Sequence, residues 1–224
     1  DREFEPKVMI SIASFPPVLL DVRAKRIEYV LYPFDLYLTR KKNPLFRMYR
    51  APILYFNRDA VTKVDLWAAI SNYTKQRMLK VWGKYISKEI SVIYPVAIEI
   101  DRFQRNIPRE RKVCCVGRIH PVKGIDDVIE AFEMAAVPDS KLVIAGGVDD
   151  QRISQEYYSG LTKRADAFRN RLEIIPNPSD DAIVETYASS RAFANFNFEE
   201  DLGIVPIEAM AAGTPPIVAK GGGQ

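Results

Sequence analysis

The sequence predicts an α/β fold, in which parallel sheets are flanked by helices and the chain forms two lobes. The first observation is a regular alternation in the second half of the 224 residues. Apolar runs typical of buried strands lie at residues 112–116, 141–145, 171–175, 191–196 and 215–219. Segments of helical period lie between them at residues 125–136, 153–168, 179–190 and 206–212. Five strands that alternate with four helices favour a parallel sheet with helices on both faces.

The first half shows the same pattern less regularly, and this is the second observation. Its predicted strands lie at residues 7–12, 27–32, 64–70 and 90–95, and its predicted helices at residues 45–59 and 72–83. Asn43 and Pro44 suit the start of the first of these helices. Pro52 should kink or break that helix, because proline lacks an N–H and clashes with the preceding turn.

A polar, irregular stretch at residues 97–112 separates the two halves and has the character of a linker. We therefore expect a first lobe over residues 1–96 and a second over residues 113–224. The sequence begins close to a strand and stops straight after one, although a marginal strand of a parallel sheet is normally followed by its covering helix. Both lobes are therefore expected to be incomplete.

The composition argues against several classes of protein. Hydrophobic residues make up 47% and charged residues 27%, as in ordinary soluble globular proteins, and no apolar run approaches the ~18 to 20 residues of a membrane-spanning helix. A net charge of +3 is too small to indicate nucleic acid binding. One histidine and no spaced cysteine pair argue against zinc. Cys114 and Cys115 are neighbours, expected on opposite faces of a strand as reduced core residues of a cytoplasmic protein.

The residues that follow the strand at 112–116 form a candidate anion site. Gly117 ends the strand, Arg118 and Lys123 lie in the loop, and Gly124 precedes a helix. This arrangement presents backbone N–H groups and a helix dipole to an anion, and two cations favour a phosphate or diphosphate. The segment is neither a Walker A loop nor a G-x-G-x-x-G fingerprint. The alternative is a tight turn with two solvated basic residues.

The start of the last predicted helix is a second candidate site. Pro206 suits the first helical position and makes Val205 the cap, but valine cannot accept the N–H bonds of the first turn. Gly203 allows another molecule close to the backbone, which favours an anion or sugar hydroxyls. Glu200 and Glu208 lie on either side, and ionised carboxylates only accept hydrogen bonds, which suits hydroxyls. The alternatives are that Glu200 is an exposed loop acid and that Glu208 interacts favourably with the helix dipole.

Two further features have open alternatives. Residues 36–56 mix five basic residues with aromatics, and could lie on an anionic membrane surface. A basic helix half buried in the first lobe explains them equally well. His120 could act as an acid or base, but a loop imidazole without an evident carboxylate partner is more often a surface residue.

Together these segments resemble a family 4 glycosyltransferase of the GT-B type. Residues 116–132, VGRIHPVKGIDDVIEAF, are similar to that family's strand, Gly-Arg, loop and Lys-Gly segment. Residues 199–223, EEDLGIVPIEAMAAGTPPIVAKGGG, resemble its E-x7-E signature, which E-A-M-A-x-G-x-P and a glycine pair follow. The sequence departs from the pattern at residues 201–203, where Asp-Leu-Gly replaces the frequent Gly-Phe-Gly. Leu31 also stands where some relatives carry histidine.

The family pattern implies two Rossmann-like lobes with a cleft between them, the second of which binds a nucleotide-sugar donor. By this resemblance, the donor-binding residues are Gly117, Arg118, Lys123, Glu200, Gly203, Ile204, Val205 and Glu208. Arg118 and Lys123 would neutralise the diphosphate, Glu200 would bind hydroxyls of the donor sugar, and Glu208 would bind the ribose. The implied catalytic residues are Arg118, Lys123 and Glu200.

The implied reaction transfers a sugar to an acceptor hydroxyl with retention of configuration, without a metal or other cofactor. In the mechanism usually proposed for the family, the leaving phosphate takes the acceptor's proton, so no protein base is required. GDP-mannose is the favoured donor, because the first-lobe segments resemble mannosyltransferases that extend lipid-linked glycans; a UDP-sugar is nearly as compatible. The expected partners are this donor and a glycan or lipid-linked acceptor, with peripheral contact at the cytoplasmic membrane face left open. The alternative is a non-catalytic module that binds a nucleotide or a partner protein.

Overall fold

The computed structural model describes residues 6–14, 23–35, 43–95, 99–168 and 170–223. The chain divides into two compact units, Asp1–Val96 and Ala97–Gly222. Each unit is built on a parallel sheet with helices packed against it, which confirms the predicted α/β class. Within the described ranges, no helix combines the length and the apolar character that crossing a membrane requires.

In the described part of the first unit, the sheet has four parallel strands that pair in chain order, β1-β2-β3-β4. The elements are β1 (Val8–Ala13), β2 (Lys25–Val30), α1 (Pro44–Thr62), β3 (Leu66–Ala69), α2 (Asn72–Trp82) and β4 (Ile90–Val92). Trp67, Met78 and Trp82 are buried at the centre of its core. The indole N–H of Trp82 donates to the buried Asp35 carboxylate over 2.6 Å, which satisfies a polar group that the core encloses.

Helix α1 begins as the sequence predicts and continues further than expected. The Asn43 side chain accepts hydrogen bonds from the backbone N–H groups of Leu45 and Phe46, and Pro44 is the first helical residue. The helix runs through Pro52 to Thr62; of the predicted kink or break, the break is therefore wrong. Much of α1 is exposed, and water can therefore bind the carbonyl group that the missing proline N–H leaves without a partner.

In the second unit the strand order is β7-β6-β5-β8-β9, and all pairs are parallel. Its helices and strands are α3 (Ile100–Phe103), β5 (Lys112–Val116), α4 (Ile125–Ala135), β6 (Lys141–Gly146), α5 (Arg152–Ala167), β7 (Leu172–Pro176), α6 (Asp180–Ala188), β8 (Ala192–Asn195), α7 (Ile204–Ala211) and β9 (Pro216–Val218). The chain builds outward from β5 to β7, and then returns to place β8 on the other side of β5.

Two apolar clusters cover the two faces of this sheet. Cys115 packs with residues of α4 and α5, whereas Cys114 packs with residues of α3, α6 and α7. The neighbouring cysteines therefore face opposite sides as predicted, and both are buried, free thiols. Burial raises the pKa of Cys114 to about 11 and that of Cys115 to about 12, so both remain uncharged core residues.

The segment expected to be an irregular linker, residues 97–112, packs as part of the second unit from α3 onward. Phe103 is buried in the core with α6 and α7. The Arg109 guanidinium donates to the carbonyl oxygens of Ala212 and Gly213 over 3.2 and 2.8 Å. The buried Phe103 ring and the Arg109 cation at the end of α7 hold the segment in place. Its polar composition gave no indication of either contact. Residues 97 and 98 lie outside the described ranges.

The ends of β5 and β6 approach so closely that a side chain at Gly146 has no room: an ideal Cβ would lie 1.6 Å from the Gly117 carbonyl oxygen. We expect Gly146→Ala to lower the free energy of unfolding by about 1–3 kcal/mol, because the backbone must shift. Gly160→Ala is the control. Its Cβ would meet no described atom within 4 Å, and the change should stabilise α5 by about 0.5–1 kcal/mol. Urea denaturation measures both, and equal effects would contradict the close approach.

Candidate functional site

The candidate site lies where the strand order of the second sheet reverses. β5 and β8 are paired, yet the chain leaves β5 toward β6 and leaves β8 toward β9. Ligands of open α/β sheets bind at the carboxyl ends of strands at such a reversal. Gly124, with φ of 68°, lies in the loop after β5, and an ideal Cβ there would be 2.7 Å from the Phe196 carbonyl oxygen. A glycine therefore allows the loops after β5 and β8 to lie side by side.

This proximity brings two of the predicted residues together. The Lys123 Nζ lies 2.9 Å from Oε2 of Glu200, and the two side chains are 23% and 21% exposed. The Asn197 side-chain amide donates to the same Oε2 over 2.7 Å. Charge-assisted hydrogen bonds of this kind are short and directional. The Glu200 carboxylate is therefore held in one orientation by two donors at one of its oxygens.

The other basic residues of the loop after β5 have different surroundings. Arg118 lies in the same loop and is exposed. The His120 Nδ1 accepts a hydrogen bond from the Val122 N–H over 3.3 Å, at the start of the 3₁₀ turn Pro121–Lys123. His120 thus has a local structural role, and Arg118 is a solvated cation at the site's margin.

The last helix begins two residues earlier than predicted. α7 starts at Ile204, and its cap is Gly203 in the left-handed conformation with φ of 79°, so the prediction of Val205 as the cap is wrong. Glycine adopts this conformation without a steric penalty, which lets the chain turn before Pro206. No side chain caps the helix, as predicted, and its first N–H groups lie in the loop that carries Glu200.

Glu208 lies one turn further along α7 and in a separate environment. The Tyr187 hydroxyl donates to its Oε2 over 3.0 Å, and Glu208 lines a small cavity of about 80 Å³ with Arg102 and Asp180. Burial raises the pKa of Glu208, while the Tyr187 hydrogen bond and the charge of Arg102 oppose that shift. Neither Lys123 nor Glu200 lines this cavity, so the two glutamates occupy different environments.

Three residues that were not predicted as site residues contribute to the geometry. Asn197 donates a hydrogen bond to Glu200, Tyr187 donates one to Glu208, and Gly222 packs against the Glu200 loop. Gly222 has φ of 71°, and an ideal Cβ there would lie 2.8 Å from the Glu200 carbonyl oxygen. The glycine run after β9 was the sequence signal for this contact. The Asn197–Glu200 hydrogen bond is local to one loop, whereas the Tyr187–Glu208 hydrogen bond joins two helices, and neither has such a signal.

A larger apolar cavity of about 410 Å³ lies elsewhere in the second unit, beside α4, where Val113, Val128 and Phe132 line it. None of the predicted site residues borders this cavity. Its larger volume is therefore no reason to place the candidate site there. In the part of the chain that the structure describes, no group of three or more His, Cys, Asp or Glu side chains is placed to hold a metal ion.

Residues 97–224 match the model of the family described as glycosyl transferases group 1. The match covers more than half of the chain. The chain belongs to this family. The D-inositol 3-phosphate glycosyltransferase of Mycobacterium sp. (strain KMS) is 33% identical over 118 residues, which are 52% of this chain and 26% of that relative.

Solved glycosyltransferase structures share the fold. The sucrose-phosphate synthase tll1590 from Thermosynechococcus elongatus matches with a TM-score of 0.67 and 20% identity, over 91% of this chain and 52% of that one. Anabaena Alr3699/HepE in complex with UDP and glucose matches with a TM-score of 0.65 and 20% identity, over 90% and 54%. These likenesses show a GT-B type of fold. The chain spans about half the length of these structures and about a quarter of the curated relative.

The Lys123–Glu200 pair should be energetically coupled because both side chains are largely shielded from water. In a double-mutant cycle of Lys123→Met and Glu200→Gln, we expect a coupling energy of about 1 kcal/mol in urea denaturation. Arg152 and Glu156 form the control pair, with a similar distance of 2.7 Å but side chains that are 90% and 63% exposed. Their coupling should not exceed about 0.5 kcal/mol. A coupling at Lys123–Glu200 no larger than the control would contradict this description.

Proposed function

We propose that this chain is part of a retaining glycosyltransferase that transfers a sugar from a nucleotide-sugar donor to an acceptor hydroxyl. The observation that carries the proposal is the convergence of Lys123, Glu200 and the uncapped start of α7 at the reversal of the second sheet. Membership of the glycosyl transferases group 1 family supports it.

The proposed donor is extended along this edge of the sheet. Its diphosphate lies near Arg118, Lys123 and the N–H groups of residues 203–205, because cations and a helix start both attract anions. Gly117 allows close approach of the ligand, since an ideal Cβ there meets no described atom within 4 Å. Glu200 accepts hydrogen bonds from hydroxyls of the sugar, and Glu208 accepts them from hydroxyls of the ribose. The separate environments of the two glutamates suit this placement, because a diphosphate lies between ribose and sugar.

The proposed reaction requires the protein mainly to stabilise negative charge on the leaving diphosphate. Breaking the bond between the sugar's anomeric carbon and the diphosphate leaves negative charge on the leaving group, and fixed cations and backbone dipoles stabilise it. The acceptor attacks from the face that the diphosphate leaves, so configuration is retained. A leaving phosphate oxygen takes the acceptor's proton, so the mechanism requires neither a protein base nor a metal.

We propose a hexose linked to GDP or UDP as the donor. The sequence resemblance favours GDP-mannose with a lipid-linked glycan acceptor. The solved structure of HepE contains UDP and glucose, and this is a reason to test UDP-sugars beside GDP-mannose.

The first test is donor binding by the full-length protein. A nucleotide sugar at about 100 times its Kd should stabilise the native state by about 2.7 kcal/mol, which a thermal-shift assay detects as a higher Tm. Arg118→Ala removes a diphosphate contact and Glu208→Ala a ribose contact, so each should weaken binding about 10-fold or more. Arg152→Ala, which removes an exposed arginine outside the site, should leave the donor-induced shift unchanged.

Turnover distinguishes the enzyme from a binding module. In a panel of donors and acceptors with a chelator present, we expect a product whose anomeric configuration, measured by NMR, matches that of the donor. Donor binding without transfer or donor hydrolysis would favour the non-catalytic module. The absence of any donor-induced stabilisation would contradict both the enzyme and a nucleotide-binding module, and would favour a module that binds a partner protein.

We further propose that α1 rests on an anionic membrane surface. Leu45, Met48, Tyr49 and Phe56 recur at helical spacing on α1, and are 74%, 73%, 68% and 47% exposed. Exposed apolar residues on one stripe of a basic helix are typical of interfacial binding. The helix carries Arg47, Arg50 and Arg58 and has no acidic residue before Asp59, so its charge complements anionic lipid. The basic residues 40–42, which precede this helix in the sequence, lie outside the described ranges.

Vesicle co-sedimentation of the full-length protein tests this placement. The protein should bind vesicles rich in phosphatidylglycerol and not pure phosphatidylcholine. Met48→Glu should weaken binding about 10-fold, because it replaces an apolar contact with a charge. Met134→Glu on α4 is the matched control, since Met134 is 79% exposed, and it should bind as the wild type does. Equal binding by the two variants would overturn the proposal.

A further inference from the structure

The strongest unassigned feature of the second unit is the buried phenol beside Glu208. Tyr187 lies on α6 and is fully buried. Its ring is tilted against Phe103 at a centroid distance of 6.2 Å and meets Phe193 edge-on at 5.7 Å. These contacts fix the ring from two sides. The hydroxyl, which donates to Oε2 of Glu208 over 3.0 Å, therefore holds a constant position.

The backbone of Tyr187 is hydrogen-bonded to the segment that follows the C-terminal end of α7. The Thr214 hydroxyl donates to the Tyr187 carbonyl oxygen over 2.7 Å, and the Arg109 guanidinium donates to the Thr214 Oγ1 over 2.8 Å. α6 and α7 are thus connected at Glu208 and again just beyond the end of α7. A helix anchored at two points cannot easily rotate the carboxylate of Glu208 away from its present orientation.

The charges around Glu208 explain why a neutral donor is useful there. Arg102 of α3 and Asp180 of α6 face it across the small cavity and form an ion pair with each other at 2.7 Å, so each offsets the other's charge. Burial and the Glu208 charge raise the pKa of Tyr187, so its hydroxyl remains a donor throughout the physiological pH range. A hydrogen bond to a carboxylate favours the ionised form, and an ionised carboxylate accepts hydroxyl donors at its other oxygen.

We propose that Tyr187 is a positioning residue for nucleotide recognition: its hydroxyl orients Glu208 so that the free carboxylate oxygen accepts the ribose hydroxyls of the donor. This inference rests on the proposed function, in which Glu208 contacts the ribose. Tyr187 itself touches no ligand. It acts through Glu208, and the ring and backbone contacts of Tyr187 keep the orientation fixed.

The test is Tyr187→Phe in the full-length protein, which removes the hydroxyl and keeps the ring packing. The affinity for UDP and GDP should fall about 10-fold, because the lost hydrogen bond has a charged partner. In steady-state assays the KM for the donor should rise by a similar factor, while kcat changes less than about twofold, since ribose binding is the same in the ground and transition states.

Two readouts separate positioning from a general loss of stability. Wild-type protein should bind 2′-deoxy-UDP or 2′-deoxy-GDP more weakly than the ribonucleotide, and this ratio should shrink toward one in Tyr187→Phe. Burial already raises the pKa of Glu208 and the phenol opposes that rise, so the variant's Glu208 becomes protonated at a higher pH. Its nucleotide affinity should therefore decline at a higher pH than that of the wild type as the solution is acidified.

A second phenol–carboxylate pair gives a matched control. The Tyr157 hydroxyl of α5 donates to Oδ2 of Asp126 over 2.7 Å, a carboxylate to which we assign no contact with the donor. Tyr157→Phe should leave nucleotide affinity, its pH dependence and the deoxynucleotide ratio at wild-type values. Because the ratio and the pH midpoint do not depend on the fraction of folded protein, they remain decisive if Tyr187→Phe lowers the Tm.

The outcomes distinguish this inference from the function on which it rests. If the wild type binds nucleoside diphosphates and Tyr187→Phe binds them with the same affinity, pH dependence and deoxynucleotide ratio, positioning by Tyr187 is wrong and the proposed function stands. If the wild type binds no nucleoside diphosphate, the proposed function fails and the inference fails with it. A reduced affinity with an unchanged ratio and pH dependence would show that the hydroxyl stabilises the fold alone, and would overturn the inference.

Discussion

The pairing of β5 with β8 is the constraint on which the candidate site depends. It joins residues far apart in sequence, with Cys114 opposite Phe193, and thereby places the ends of both strands at the same edge of the sheet. Gly124 then allows the two loops to touch, and the ion pair between Lys123 and Glu200 forms across that contact. A single strand pairing thus brings two loops with ordinary turn chemistry together into one charged site.

Most of the fold could be predicted from the sequence, because apolar periodicity and turn residues are local signals. The strand at Lys112–Val116 and the helix start at Asn43 follow directly from them. The failures occurred where context overrides a local rule. Pro52 lies in an exposed helix, where water can replace the lost hydrogen bond. Phe103 and the residues that follow it have linker-like composition, yet one buried ring anchors them to the core.

The candidate site could be predicted only in part. Lys123 and Glu200 belong to separate motifs, and a close approach of the β5 and β8 loops requires the strand order, which no single segment specifies. Asn197 and Tyr187 were missed because a side chain that orients another residue has no spacing of its own. Gly203 was recognised for its backbone freedom, but the preference of Pro206 for the first helical position indicated Val205 as the cap, whereas the left-handed Gly203 starts the helix two residues earlier.

The two glutamates of the E-x7-E segment illustrate how surroundings assign different behaviour to identical side chains. Glu200 is held by a cation and an amide, and its contact with Lys123 keeps its charge compensated. Glu208 is held by a neutral phenol at the edge of an apolar core, where burial makes ionisation costly. A carboxylate in the first environment is held by two donors, one of which is a cation. One in the second depends on the Tyr187 hydroxyl as its donor. Nucleotide recognition would therefore be the part of the proposed donor site that the loss of one side-chain hydrogen bond weakens most.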